Sequence, residues 1–235
     1  LKDLYSRVAR LLSNAVGRKL TSVECCLLID EAAVTIVAGN IRRSAGMRQF
    51  SALDHSAASA KENLWQQDSE GNWRIDPEKD ALRMANHTRV YHTRPTQEAV
   101  LEAVQKQFQS GEGAIQFAPE AIARSNADIL STPELRKEFI DIYCDQGKEE
   151  AAHWLETNHG PIESAELEHR LGRYGLNPCG EILGADFHCN LAEVHLNQID
   201  PSDIKGQTEA FKAAALSVAC LLNHRFKVDR YRQSR

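Results

Sequence analysis

The chain has 235 residues, 42% of them hydrophobic and 26% charged, an ordinary composition for a globular protein able to bury a sizeable core. Its 28 Lys and Arg against 33 Asp and Glu leave a formal charge of -5, so no basic surplus argues for wrapping a nucleic-acid backbone, although local arginines can still meet a nucleotide. No run approaches the roughly 18 apolar residues of a membrane span, and the N-terminus lacks the pattern of a signal peptide, so no membrane is expected and a cytoplasmic location is.

Leu4, Val8, Leu11, Leu12 and Ala15 recur at helical spacing ahead of Gly17 and predict a first helix with one face inward. Residues 23–37 predict a second, whose apolar density at Leu27, Leu28, Ile29, Ala32, Ala33, Ile36 and Val37 points to burial on more than one side. Ala38-Gly39-Asn40 supplies its C-terminal cap. The loop Ile41-Arg42-Arg43-Ser44-Ala45-Gly46-Met47 then leads into an apolar segment ending near Phe50. Arg42 and Arg43 are read either as a solvated pair beyond a helix end or as groups aimed at an anion.

Residues 51–76 are polar and irregular, with a surface turn between Trp65 and Trp73. Pro95 and Gly111 bracket a helix carrying Leu101, Val104 and Phe108 on one stripe, and a short strand follows at residues 114–117. Pro119 opens a turn or helix. Leu135, Phe139 and Ile142 mark a helix after Pro133, and Ala151, Ala152 and Leu155 another before Gly160. Residues 189–194 predict a strand. The stripe Phe211, Ala215, Val218, Leu222 and Phe226 predicts a long helix after Pro201. Helices alternating with short strands give an α/β class.

Leu1 stands where a methionine would start a chain, and residues 226–231 carry no terminating signal, so the sequence reads as an internal piece of a longer protein. Its six cysteines, at 25, 26, 144, 179, 189 and 220, lack the spacing of a secreted disulfide scaffold. Cys25, Cys26, Cys144 and Cys220 lie on helical patterns and are expected to be packing residues. No recognisable zinc-ligand set is present, and no metal site is expected.

The chemistry concentrates in Asn177-Pro178-Cys179-Gly180-Glu181-Ile182, followed by Phe187-His188-Cys189-Asn190-Leu191-Ala192-Glu193-Val194. Proline and glycine around the thiol make a central strand unlikely and a loop between two extended pieces the expectation. If the stretch were extended, Asn177, Cys179 and Glu181 would share one face. A carboxylate beside a thiol raises its pKa, which argues against a thiolate nucleophile and for a neutral thiol that gives up a hydrogen atom.

These two motifs resemble the active-site finger loop and following strand of ribonucleotide reductases, and the proline-glycine form most resembles the adenosylcobalamin-dependent class. The run Val37-Ala38-Gly39-Asn40-Ile41-Arg42-Arg43-Ser44-Ala45 is similar to that family's substrate-specificity loop. The resemblance implies a partial ten-stranded α/β barrel with a central finger loop, residues 1–235 being the central portion of one catalytic domain incomplete at both ends. It implies reduction of ribonucleotides, as the triphosphates, to 2'-deoxyribonucleotides for DNA synthesis.

By the same resemblance, Cys179 would be the transient thiyl radical, Glu181 the general base on the ribose 3'-hydroxyl and Asn177 a positioning group. Cys189 would be half of the reducing dithiol, reopened by a thioredoxin-type reductant. Gly39, Asn40, Arg42, Arg43 and Ser44 would form the loop that senses a deoxynucleotide effector. Adenosylcobalamin, bound by the complete enzyme, would start the radical. The second redox cysteine has no matching context before Gly39, and the family's phosphate-binding segment and C-terminal cysteines are not found, so the isolated chain is expected to be inactive without the N- and C-terminal parts of the enzyme. The alternatives are a non-catalytic nucleotide-binding or assembly fragment, and a reductase of another radical class.

Overall fold

A computed structural model describes residues 1–35, 46–62, 64–111, 113–184 and 191–223. The chain divides into two units, Leu1–Leu183 and Gly184–Arg235.

The first unit opens with two helices, α1 (Lys2–Asn14) and α2 (Ser22–Val34). A capping box starts α2: the Thr21 hydroxyl accepts the Glu24 N–H at 3.2 Å, and the Glu24 carboxylate accepts the Thr21 N–H at 2.8 Å. Burial on α2 is one-sided, contrary to its apolar density. Leu27 and Ala33 are inside, but Ile29 is exposed, and the two acids Asp30 and Glu31 are buried in its place. Arg7 of α1 explains Glu31, bonding it at 2.8 Å and Asp80 at 2.7 Å.

Strand β1 (Gly46–Ser51) leads to the short helix α3 (His55–Ser59) and the antiparallel hairpin of β2 (Trp65–Gln67) and β3 (Trp73–Ile75), whose turn lies where the sequence places it. A 3-10 turn at Asp80–Met84 precedes β4 (Ala85–Tyr91). Helix α4 (Gln97–Ser110) is capped by the Thr96 side chain and ended by Gly111 at φ 71, and β5 (Ala114–Phe117) follows. The strands form one parallel sheet in the order β1-β4-β5. The central strand β4 is absent from the sequence expectation, because Ala-Asn-His-Thr-Arg-Val-Tyr shows neither alternation nor an apolar run.

The register sorts the sheet into two faces. Arg48, His87 and Arg89 alternate to one side, where α2 and α3 pack: Arg48 bonds Asp30 of α2, and Arg89 bonds the Ala58 carbonyl of α3 at 3.2 Å. Gln49, Asn86, Thr88 and Gln116 share the other side.

Four helices complete the unit: α5 (Ala118–Ser125), α6 (Pro133–Gln146), α7 (Lys148–His159) and α8 (Ser164–Leu171). Ile122, Leu130, Phe139, Ile140, Leu155 and Leu171 form their common core. Buried Asn126 ties α5 to α8, its Nδ2 donating to the carbonyls of Ile122 at 2.9 Å and Arg170 at 3.0 Å, and its Oδ1 accepting from Arg170 and Arg173. The stripe expected to turn inward on α4 does not: Leu101, Val104 and Phe108 are exposed, and Ala103 is the buried residue of that helix.

In the second unit a 3-10 turn at Leu196–Gln198 precedes α9 (Ile204–Asn223). Asp203 accepts the Gly206 N–H at 2.9 Å at the start of α9, and Phe211 and Leu216 are exposed. Residues 191–195 are irregular, so the described part of the strand expected at 189–194 does not form.

Candidate functional site

Two short strands, β6 (Gly175–Leu176) and β7 (Leu183–Gly184), pair on either side of the motif, as a loop between extended pieces requires. Between them the backbone reverses. Gly180 donates its N–H to the Asn177 carbonyl at 2.9 Å and adopts φ 77, a left-handed conformation that glycine enters without penalty. The Asn177 side chain closes the turn from within, its Oδ1 accepting the N–H groups of Glu181 and Ile182, both at 3.1 Å. Pro178 fixes one φ and Gly180 supplies the positive one, so 177–181 is a turn and the extended alternation that would put three side chains on one face does not apply. Asn177 is buried, whereas Cys179 and Glu181 are exposed.

The turn is fastened to the sheet by three side-chain amides, one from each strand. Gln49 of β1 accepts the Leu176 N–H at 3.0 Å and donates to the Tyr174 carbonyl at 2.9 Å. Gln116 of β5 donates to the same carbonyl at 2.8 Å, and Gln49 and Gln116 bond one another at 2.5 Å. Asn86 of β4 donates to the Pro178 carbonyl, one residue before the thiol. Tyr174 also packs against the α5–α8 core and meets His92 edge-on at 5.4 Å, which anchors the approach to the turn at both ends. None of these residues was singled out from the sequence, since an isolated Gln or Asn in a strand carries no local signal of its partner.

Behind the sheet lies a second feature the sequence reading missed. Asp30 of α2 pairs with Arg48 of β1, and Arg48 lies beside His87 of β4 in register. Burial pushes the Asp30 carboxyl up, with Arg48 opposing, while burial and the Lys61 charge hold His87 down to about 4. One side-chain atom each of Asp30, Arg48 and His87 is buried without a partner. The signal that could have found this cluster is the pair of acids inside an apolar helical run.

Gly39, Asn40, Arg42, Arg43 and Ser44 lie outside the described residues, as does Cys189. Among the described residues, no group of three or more His, Cys, Asp or Glu is placed to hold a metal ion.

A 63-residue stretch is 36% identical to the adenosylcobalamin-dependent ribonucleoside-triphosphate reductase of Levilactobacillus brevis. The match takes in 27% of this chain and 8% of the length of that relative. No family model and no solved structure matches the chain.

The remaining described cysteines divide by exposure. Cys26 and Cys144 are half-buried, and burial raises both thiols, as befits packing residues. Cys25 and Cys220 are exposed, contrary to the expectation that they pack. No described helix is long and apolar enough to cross a membrane.

Proposed function

We propose that this chain is a central portion of the catalytic barrel of a ribonucleotide reductase, and that the turn bearing Cys179 presents its reacting thiol. The observation that carries the reading is an exposed thiol at a turn fastened to one face of a parallel sheet whose opposite face is covered by α2 and α3. A strand-helix-strand layer of this kind, with helices outside and a polar loop inside, is what an arc of a ten-stranded α/β barrel with a central finger loop requires. The stretch of similarity to a ribonucleoside-triphosphate reductase supports the same assignment.

In this reading the Cys179 thiyl takes the 3'-hydrogen of the ribose and later returns it. Glu181 removes the proton of the 3'-hydroxyl, which drives the 2'-hydroxyl out as water. A dithiol that includes Cys189 supplies the proton that leaves with that hydroxyl and the hydrogen gained at C2', and ends as a disulfide that thioredoxin-type exchange reopens. Asn177 orders the turn through Oδ1 and serves as a positioning group for the ribose hydroxyls. The substrate is a ribonucleoside triphosphate, and residues 39–44 sense a deoxynucleotide effector.

Adenosylcobalamin, when bound, supplies the starting radical by cobalt–carbon homolysis. The exposed Cys179 thiol is open to receive that radical, and binding of the cofactor is assigned to the complete enzyme.

The test is Cys179→Ser in the complete enzyme. It is expected to abolish hydrogen exchange between cofactor and solvent, whereas Cys189→Ser spares radical formation and blocks multiple turnover. Exchange that survives Cys179→Ser overturns the assignment. The 1–235 polypeptide alone is expected to be inactive, and turnover with adenosylcobalamin and a dithiol would overturn that expectation.

A further inference from the structure

We infer that Asn86, with Gln49 and Gln116, forms a three-point mount that sets the position of Cys179, and that Asn86 is the positioning residue nearest the thiol. The inference rests on the reading of Cys179 as the reacting group, and it adds residues that neither motif contains.

A strand joins a sheet through backbone hydrogen bonds, but residues 174–178 are held to the sheet face by side chains. The three amides come from β1, β4 and β5, and the register puts all three on one face: Met47 pairs with Asn86, Gln49 with Thr88, and Val90 with Gln116. An amide side chain carries a donor and an acceptor at a fixed separation, as a peptide does. Gln49 uses both, accepting from Leu176 and donating to Tyr174, and so imitates one rung of a ladder. Gln116 fixes the same carbonyl from the far strand.

Asn86 completes the mount beyond the point where β6 ends. Its Nδ2 holds the Pro178 carbonyl, the acceptor that leads directly into the Cys179 peptide. The Asn177 side chain stiffens the turn internally, its Oδ1 accepting the N–H groups of Glu181 and Ile182. Asn86 thus ties the turn itself, and not only the approach to it, to β4. It is itself exposed, so its replacement leaves the core intact. Asn86 also sits beside Met47 of β1 in register.

The experiment compares Asn86→Ala and Asn86→Asp with the unaltered protein, first by amide hydrogen exchange over residues 175–182 and by the rate of Cys179 alkylation resolved by peptide mass. Both variants are expected to speed exchange and alkylation about fivefold, the change that one net hydrogen bond sets. The Asp variant keeps the shape and loses the donor, and so separates the bond from packing. Alkylation of exposed Cys25 in α2 and exchange in α6 are expected to stay unchanged. In the complete reductase, both variants are expected to lower kcat about fivefold at unchanged KM. The mount is overturned if exchange and alkylation at 175–182 do not change, if Cys25 changes equally, or if kcat is unaffected. Absence of turnover in the unaltered complete protein counts against the functional reading instead, and the exchange and alkylation data still decide the mount.

Discussion

Asp30 in α2 accepts a hydrogen bond from Arg48 in β1, and the pair joins the helix before residues 36–45 to the strand after them. Asp30 is fully buried, and the Arg48 side chain is 14% exposed. Such a pair gains Coulomb energy in a poorly screened site but has lost the hydration of both ions, so its net worth is small while breaking it is costly.

Asp30→Ala is therefore expected to destabilise the protein by about 3 kcal/mol, because it strands the Arg48 charge. The double variant Asp30→Leu with Arg48→Met is expected to recover most of that loss. Urea denaturation of the three proteins measures both.

His87 gives stability a pH dependence of known sign. Its folded value of about 4 lies below the ordinary value of 6.5, because burial and the nearby Lys61, Arg48 and Arg89 charges disfavour the imidazolium. Between those two values the unfolded chain binds the extra proton, so this contribution is complete above pH 6.5 and is lost as pH falls to about 4. The loss amounts to about 3 kcal/mol. In His87→Gln, the stability measured by denaturation from pH 7 to pH 4 is expected to decline less steeply than in the parent. An equal decline in both would remove His87 as its source.

Gly180 has φ 77, and a Cβ built there meets nothing within 4 Å. Gly180→Ala is thus expected to cost only backbone strain, about 1 kcal/mol, felt in the turn. Gly180→Asn is expected to cost less, since asparagine tolerates the left-handed region. Amide exchange of Glu181 and Ile182, whose N–H groups close on Asn177, reports the order of the two variants.

Two phenylalanines on helical stripes should behave oppositely. Phe139 is fully buried in the α5–α8 core, and Phe108 on α4 is 89% exposed. Phe139→Ala is expected to cost about 3–5 kcal/mol, whereas Phe108→Ser is expected to fall within about 0.5 kcal/mol of the parent. Thermal unfolding distinguishes them.

That contrast also marks how far the sequence could be read. Helices α1, α2, α4, α6, α7 and α9 follow from periodicity and caps, and β5 from a short apolar segment. Periodicity tells which residues share a face, but not whether anything covers it, so the α4 stripe was legible as a stripe and misread as an inner one. Strand β4 was illegible for the opposite reason. His87 and Arg89 are buried polar residues satisfied or held by distant groups, and they break the pattern that would have announced a strand. Helix α8 was likewise missed, its eight residues being too few to establish a period.

The sequence by itself determined the turn at 177–182, because Pro178 and Gly180 constrain the backbone locally and Asn177 caps it with its own side chain. It also determined the chemistry that turn carries, a thiol and a carboxylate two residues apart. Only the tertiary structure decided where the turn is held. The bonds from Gln49 to Leu176 and from Asn86 to Pro178 join residues 127 and 92 apart in the chain, a pairing that exists only once the sheet has formed and its register has put the amides on one face.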